Sequence, residues 1–399
     1  TEFSDYAETV RANAHVLRAH PASFLQQALN SRDDSAPRKF AAEAAAAAPL
    51  GGGLAFAWRN KPQERPACTG VMASAAAMHW CVSGAPSGRF IAAGSSDHRI
   101  HVLDLEGNET ALLEGHEDEV QLVAFHPTRD DLLLSAAPAG GRYGAGADVL
   151  LFSASTGEKL AAHHISGSVS AISWSPCGDL AAVACSAPGG AGGACCVLRA
   201  GEELAPVATW HSEGEAPGCC AFSPDGARVA VGVGPAVRVF LAVGGGDVGI
   251  TFSGGVHEES ITAIDWSPEG LIATGGLDEG VVCIWDAGSG ACLHTLACHR
   301  GCVNSLRFGP GPGGGRVLLT ASEDRSIAVT EVPPSGAWQG ARTALLRGHS
   351  SGVQQVAPLG HGAAAPLCVT AGADGSARVW DLARALSARE PPGGGDAIS

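Results

Sequence analysis

Three groups of residues in this chain have the types and spacing that chemistry needs. Gly348, His349, Ser350, Ser351 and Gly352 fit the G-x-S-x-G pattern of a nucleophile elbow, where a serine stands on a sharp strand-to-helix turn. Cys292, His294, Cys298, His299 and Cys302 crowd one stretch, dense enough to suggest a zinc ion, which would need four ligands converging at about 2.0–2.3 Å. Histidines and aspartates also recur with Thr and Trp, as His257, Thr274, Asp278 and Trp285, as His299, Thr320 and Asp324, and as His349, Thr370, Asp374 and Trp380. On paper each His–Asp couple is a general base with its orienting acid.

The elements that must position these groups decide against all three. Gly348 to Gly352 read as the Gly-His loop of a recurring unit, with no helix after it, so the elbow has nothing to launch. Cys292 and His294 lie along one strand, and His299 already belongs to a recurring set, so four ligands do not converge. The His–Asp couples fall at fixed intervals along the chain rather than at one place. Catalytic machinery is grafted onto a fold at a single site, whereas a periodic mark belongs to the scaffold. Glycine-rich "GPGPGGG" lacks the Lys and helix of a phosphate loop, and G-x-x-x-x-G-K-[ST] is absent from the sequence.

The interval is the main finding. Strands ending near a Trp or its stand-in place Leu103, Phe152, Leu198, Phe240, Trp285, Thr330 and Trp380 at steps of 49, 46, 42, 45, 45 and 50 residues. A second mark, a strand ending in Ser-Pro or similar, places Pro127, Pro176, Pro224, Pro268 and Pro310 at steps of 49, 48, 44 and 42. Each unit holds four short β-branched or aromatic runs punctuated by Gly, Pro, Asp and Ser, the pattern of strands and turns. Four strands repeated at about 40–45 residues with a Trp-Asp mark are the signature of a propeller blade.

The pattern resembles the WD40 repeat family over about residues 50–385, with the full Gly-His … Asp … Trp-Asp mark in units 5 and 7 and degraded marks elsewhere. The resemblance implies an all-β fold, a seven-bladed WD40 β-propeller, preceded by a short N-terminal α-helical extension. It also implies that loop His, strand Thr, turn Asp and Trp form one hydrogen-bonded chain inside a blade, which is the expected role of the sets above. Unit 6 has Thr330 in the Trp slot, unit 1 keeps Asp97, unit 2 keeps His116, and units 3 and 4 lack most of the set and are expected to be the softer side of the ring. The expected divisions are 1–48 for the helical extension and linker, 49–385 for the propeller and 386–399 for a disordered tail.

No good outer strand follows Leu382, so the orphan run "LAFAWRNK" at 54–61 is expected to supply the outer strand of the seventh blade. Glycine-rich insertions, among them "PPSGAWQGA" before unit 7, are expected to be mobile surface loops. At the front, Phe3, Val10, Ala14 and Leu17 fit one helical face, and Phe24, Leu25, Ala28 and Leu29 a second, stopped by Asn30, Ser31 and Pro37. "AAEAAAAAPLGGG" then reads as a helical or disordered linker. Residues 3–36 resemble the helical segment preceding the propellers of NACHT–WD-repeat proteins of the STAND NTPase class, a likeness that implies an ATPase upstream and a propeller acting as ligand sensor and brake.

Composition sets the remaining bounds. The net charge of −15 argues against nucleic-acid backbones and anionic membranes as partners. No run of about 18 apolar residues is present to span a bilayer. Thirteen cysteines follow no regular framework and read as buried free thiols in a reducing compartment, with the cytoplasm as the expected location. The start at Thr1 suggests a piece of something longer. Carboxylates concentrate after the repeat histidines, as Glu117, Asp118 and Glu119, Glu213 and Glu215, and Glu258 and Glu259, with Glu279 and Glu323 in nearby turns. In the family fold these loops share one face, so a basic peptide or domain is the expected partner, and a solvated acidic surface is the plainer alternative. The expected function is a non-catalytic protein-interaction platform without metal or cofactor: the sensor of a NACHT–WD-repeat protein, or a freestanding substrate adaptor or ciliary or complex-assembly scaffold. A propeller hydrolase would need unexplained His, Asp or Glu residues at inner-strand ends, and none stands out from the repeat pattern.

Overall fold

A computed structural model describes residues 6, 9–10, 24, 28, 36–47, 67–73, 79–137, 146–189, 192–252, 256–278, 280–334, 338, 340–360 and 366–387. Among them, seven antiparallel four-stranded sheets succeed one another along the chain. Their inner strands are His79–Gly84, Leu122–Phe125, Val169–Trp174, Pro217–Phe222, Ile261–Trp266, Val303–Pro310 and Val353–Leu359, which number blades 1 to 7. The fold is a seven-bladed β-propeller.

Burial explains why the strands of one blade differ in composition. The second strand of blade 3, Leu180–Ser186, is buried at six successive positions because blades cover both its faces. The outer strand of blade 5, Cys292–Ala297, alternates exposed and half-buried because only one face is covered. There is no single central core. Seven apolar clusters each lie between two neighbouring blades, from the slab of blades 1 and 2 (Ile100, Leu113, Leu133 and Phe152) to that of blades 7 and 1 (Val82, Ile91, Val369 and Val379). Radial repetition of this kind leaves only short strand edges open.

The Ser-Pro mark is a turn device. At Ser223-Pro224-Asp225-Gly226 the Ser223 hydroxyl accepts the Arg228 N–H at 2.9 Å, and the Gly226 N–H reaches the Ser223 carbonyl at 2.8 Å. Gly226 takes φ +70°, a region that only glycine enters freely. The turn reverses the chain within one blade at the end opposite the repeat histidines.

Ring closure follows the expected principle with different residues. Cys68–Ala73 pairs antiparallel with the third strand of blade 7, Ser376–Asp381, with Cys68 opposite Trp380 and Ala73 opposite Ser376. That occupies the outer position assigned from sequence to 54–61, a stretch outside the described residues. Pairing across more than 300 positions leaves no local trace, and "CTGVMA" has none of the aromatic residues that draw attention to "LAFAWRNK". After Asp381 the chain turns into a helix, α2 (Leu382–Ser387), two residues past the boundary expected at 385. The Asp381 carboxylate accepts the Arg384 N–H at 3.0 Å, an N-cap, and Leu382, Ala385 and Leu386 sink into the cluster between blades 6 and 7.

At the front, α1 spans Ala36–Ala47. Pro37, expected to help stop a helix, instead lies in the first turn of this one, where a missing N–H costs nothing; Asn30 and Ser31, and Phe3, Ala14, Leu17, Leu25 and Leu29 of the two expected faces, lie outside the described residues. Ala28 and Ala41 are fully buried against Phe24, and Tyr6 meets Phe40 edge-on at 6.5 Å, so the helical residues described here pack on one another. One insertion departs from the expected mobile loop. Trp338 of "PPSGAWQGA" is buried in the slab between blades 5 and 6 and stacks on His294 at 6.3 Å. A lone large aromatic outweighs its glycine-rich neighbours.

Candidate protein-interaction face

Blade 5 shows how the recurring polar residues are used. Trp285 Nε1–H donates to Thr274 Oγ1 at 2.8 Å, and Thr274 lies 2.9 Å from His257 Nε2. His257 Nδ1 lies 2.7 Å from Asp278 Oδ2, while Asp278 Oδ1 accepts the N–H groups of Glu258 and Glu259, each at 3.0 Å. Only one proton arrangement gives every atom an opposite partner: a neutral imidazole with its proton on Nδ1, donating to the carboxylate and accepting from the threonine. The extra residue between Asp278 and Trp285 does not break the chain. Blade 7 repeats it with Trp380 to Thr370 at 2.9 Å, Thr370 to His349 at 2.8 Å, and His349 to Asp374 at 3.1 Å.

Blade 6 keeps His299 to Thr320 at 2.7 Å and His299 to Asp324 at 3.2 Å. Thr330, in the Trp slot, instead meets the hydroxyl of Thr343 at 3.0 Å. In blade 2 His116 reaches Ser135 at 2.7 Å, and burial pushes its pKa down to about 4. In blade 1 Asp97 turns to His101 on the next strand at 3.1 Å. Blades 3 and 4 substitute packing, with Trp210 of blade 3 stacked on Phe240 of blade 4 at 5.8 Å. Burial lowers the pKa of both His299 and His349. Burial works against ionisation of Asp374, but the hydrogen bonds from His349 and Ser376 prevail and hold its carboxyl below the ordinary range.

These chains fix the loops of one face. Antiparallel strands bring the outer-to-inner loop and the turn between second and third strands to the same end of every blade. Glu117, Glu213, Glu215, Glu258, Glu259 and Glu323 are exposed at that end, and Asp118 and Glu119 are half-buried. Glu279 lies outside the described residues. Among the described residues, Glu117, Glu213, Glu215, Glu258 and Glu259 have no ion-pair partner, whereas neighbouring Glu114 is bound to Arg99 at 2.9 Å. Glu323 is differently placed: it accepts from Asn304 at 3.0 Å and Gln354 at 2.9 Å, tying blade 6 to blade 7. Arg300 and Arg325 interrupt the acidic residues beside it. The acidic arc therefore runs from the loop between blades 1 and 2 to the loop between blades 4 and 5.

Inside the arc the inner strands enclose a channel of about 480 Å³. Its wall shows a connection that the repeat marks do not reveal. Ser170 donates to the Pro217 carbonyl at 2.6 Å, Thr262 to Val303 at 2.7 Å and Asn304 to Val353 at 3.0 Å, each joining one blade to the next. Cys81 and Cys219 make longer thiol contacts of the same kind to Val120 and Ile261. A small polar residue at the second or third position of an inner strand was the available clue.

Asp265 corrects the expectation that inner strands hold no unexplained acid. It lines the channel, accepts the Phe308 N–H of blade 6 at 2.7 Å, and faces Arg307. Burial raises its pKa against the pull of Arg307. Its bonds make it another tie between blades. The five Cys and His residues between 292 and 302 do not converge: Cys292 turns to the His294 carbonyl, Cys302 to the Leu277 carbonyl, His294 stacks on Trp338, and Cys298 and His299 both meet Thr320. Among the described residues no group of His, Cys, Asp or Glu is arranged to hold a metal ion, and no helix is long and apolar enough to cross a membrane.

Fold and polar chains together define a β-propeller with WD40-type polar chains in blades 5 and 7 and a partial one in blade 6. The family described as "WD domain, G-beta repeat" matches residues 74–104, 250–286, 290–330 and 340–381. These fall on blades 1, 5, 6 and 7 with parts of the adjoining loops, and the chain carries WD40 repeats there by sequence as well as by structure. Among curated relatives, nuclear distribution protein PAC1 of Arthroderma otae is 31% identical over 129 residues, 32% of this chain and 27% of the relative. PAC1 of Trichophyton verrucosum is 30% identical over 128 residues, 31% of this chain and 27% of the relative. WD repeat and SOCS box-containing protein 1 of Danio rerio is 31% identical over 117 residues, 27% of this chain and 26% of the relative. The chain thus covers about a quarter of the length of these relatives.

Proposed function

We propose that this propeller is a non-catalytic interaction platform whose acidic arc receives a Lys/Arg-rich protein segment. The observation that carries the reading is the set of exposed carboxylates, Glu117, Glu213, Glu215, Glu258 and Glu259, without ion-pair partners among the described residues, on loops of one face. Two of them are mounted on a backbone pinned by Asp278. Fixed charge of one sign beside a channel steers an oppositely charged partner and makes its association rate depend on salt. The buried His–Asp couples are consumed by hydrogen bonds within blades, which supports a role other than catalysis.

The test is a pull-down from the protein's own cell lysate at low and high salt, with wild type beside a Glu117, Glu213, Glu258 and Glu259 to Lys variant. Bound proteins are then expressed and their basic segments titrated by fluorescence anisotropy. A basic segment lost with salt and lost by the variant is the expected result. Partners kept by the variant overturn the arc as the docking face.

The finer reading places this propeller in a NACHT–WD-repeat protein of the cytoplasm, as its ligand sensor and brake. It rests on the resemblance of residues 3–36, on the helical packing of Phe24, Ala28 and Ala41, and on thirteen free thiols. A full-length gene without an upstream NTPase rejects it in favour of a freestanding adaptor or assembly scaffold.

A further inference from the structure

Blade 3 lacks a polar chain and has Leu198 in the Trp slot, and it concentrates thiols. In the hairpin of its second and third strands, Leu180–Ser186 and Gly193–Arg199, Cys185 stands opposite Ala194 and Cys196 opposite Val183. The two cysteines are therefore diagonal neighbours on one sheet face, the face turned to blade 2. The Cys185 thiol donates to the Ala194 carbonyl at 3.3 Å, beside the face on which Cys196 lies. Cys185 is buried, while Cys196 is half-exposed.

The surroundings of Cys196 favour its thiolate. The Thr209 hydroxyl of the outer strand, Ala205–Ser212, donates to Cys196 Sγ at 3.7 Å in a solvent-exposed contact. His211 follows on the same strand. The neighbouring Cys185, then these groups, draw Cys196 below the ordinary thiol range, while Cys185 is driven above it. A thiolate reachable from solvent beside a protonated partner is the arrangement that reacts with peroxides and is then resolved.

We propose that Cys196 and Cys185 are a peroxide-oxidised pair, with Cys196 the attacking sulfur, Cys185 the resolving one, and a small hydroperoxide the oxidant. The Cys196 thiolate attacks one peroxide oxygen. An S–O bond forms, the O–O bond breaks, and the departing oxygen takes a proton to leave as water or alcohol. Cys185 then loses its proton and attacks the sulfenic sulfur. The S–S bond forms as the S–O bond breaks, and the released hydroxide is protonated to water. Two thiols lose two electrons and the peroxide gains them.

Blade 5 supplies an internal control. Cys283 and Cys292 are also diagonal neighbours across a hairpin, and Cys292 is more exposed than Cys196. Cys292, however, donates its own S–H to the His294 carbonyl at 3.6 Å and is offered no comparable hydroxyl.

The experiment treats the full chain with stoichiometric hydrogen peroxide, blocks the remaining thiols and maps non-reduced peptides by mass spectrometry. The expected product is a Cys185–Cys196 cross-link formed before any modification of Cys292. In Cys185→Ala the cross-link is lost, and dimedone traps a sulfenic acid at Cys196. Thr209→Val slows the dimedone reaction while circular dichroism stays unchanged, which separates loss of reactivity from loss of fold. Recovery of Cys196 as a free thiol, its capture by a different cysteine, or earlier oxidation of Cys292 overturns the proposal.

Discussion

Thr274→Val tests the polar chain of blade 5 at its hub. Valine matches threonine in shape but has no hydroxyl, so the apolar packing persists and two buried partners lose their mate. Trp285 Nε1–H, on a residue 1% exposed, is left without an acceptor, and His257 Nε2, on a residue 5% exposed, without a donor. An orphaned buried polar group costs about 1–3 kcal/mol, so the substitution should cost about 4 kcal/mol. Thr320→Val in blade 6 is the matched comparison. Thr320 is as deeply buried, but its strong partner is His299 alone, with a weak thiol contact to Cys298 at 3.8 Å. One orphan instead of two predicts about 2 kcal/mol. The assay is equilibrium urea unfolding followed by circular dichroism, with midpoints compared at equal slope. A Thr320→Val cost equal to or above that of Thr274→Val refutes the reasoning, because stability would then not follow the count of orphaned partners. A loss below about 1 kcal/mol for both would mean that the chains are decoration on packed blades.

Three further outcomes follow. His116 is held neutral by burial, so the unfolded state binds more protons between the unperturbed value of about 6.5 and the folded value of about 4. Its contribution is complete above that window and is lost as pH falls through it; unfolding measured from pH 7 to pH 4 should be less acid-sensitive in His116→Gln. Deleting 68–73 uncovers the third strand of blade 7 and should raise hydrogen exchange at Val379 and Trp380 far more than at the blade 3 strands. In the intact chain, exchange should be faster in blades 3 and 4 than in blades 5 and 7, and equal protection throughout would show that packing alone matches the polar chains.

The parts legible in sequence were those written locally. A Trp, a His or a Ser-Pro mark recurs at a fixed interval because each does the same job within one blade, so the blade count and the members of each polar chain could be read directly. The closing strand could not, since Cys68–Ala73 is defined by partners at the far end of the chain. Trp338 was hidden by its company of Gly, Pro and Ser. Asp265, Ser170, Thr262 and Asn304 were hard to read for another reason: their partners are backbone groups of the following blade, and a main-chain group leaves no letter to pair with. The acidic residues were easy to see, but only the geometry separates Glu323, bound to Asn304 and Gln354, from the unpaired carboxylates of the arc.

Closure by Cys68–Ala73 also gives the ring a direction of mechanical weakness. Cys68 lies opposite Trp380, so the incoming lead and the outgoing lead leave the seventh blade side by side at the same end of one strand pair. Tension between them would load that ladder one rung at a time from Cys68 inward, as a zipper opens, instead of shearing all its bonds together. Helix α2 stands in the way on one side. With Leu382, Ala385 and Leu386 anchored between blades 6 and 7, a pull on the outgoing lead must first uproot this short plug. Among the described residues, the incoming lead is held by the Asp381 N–H on the Ala67 carbonyl and by Ala67 and Cys68 packing on the same cluster.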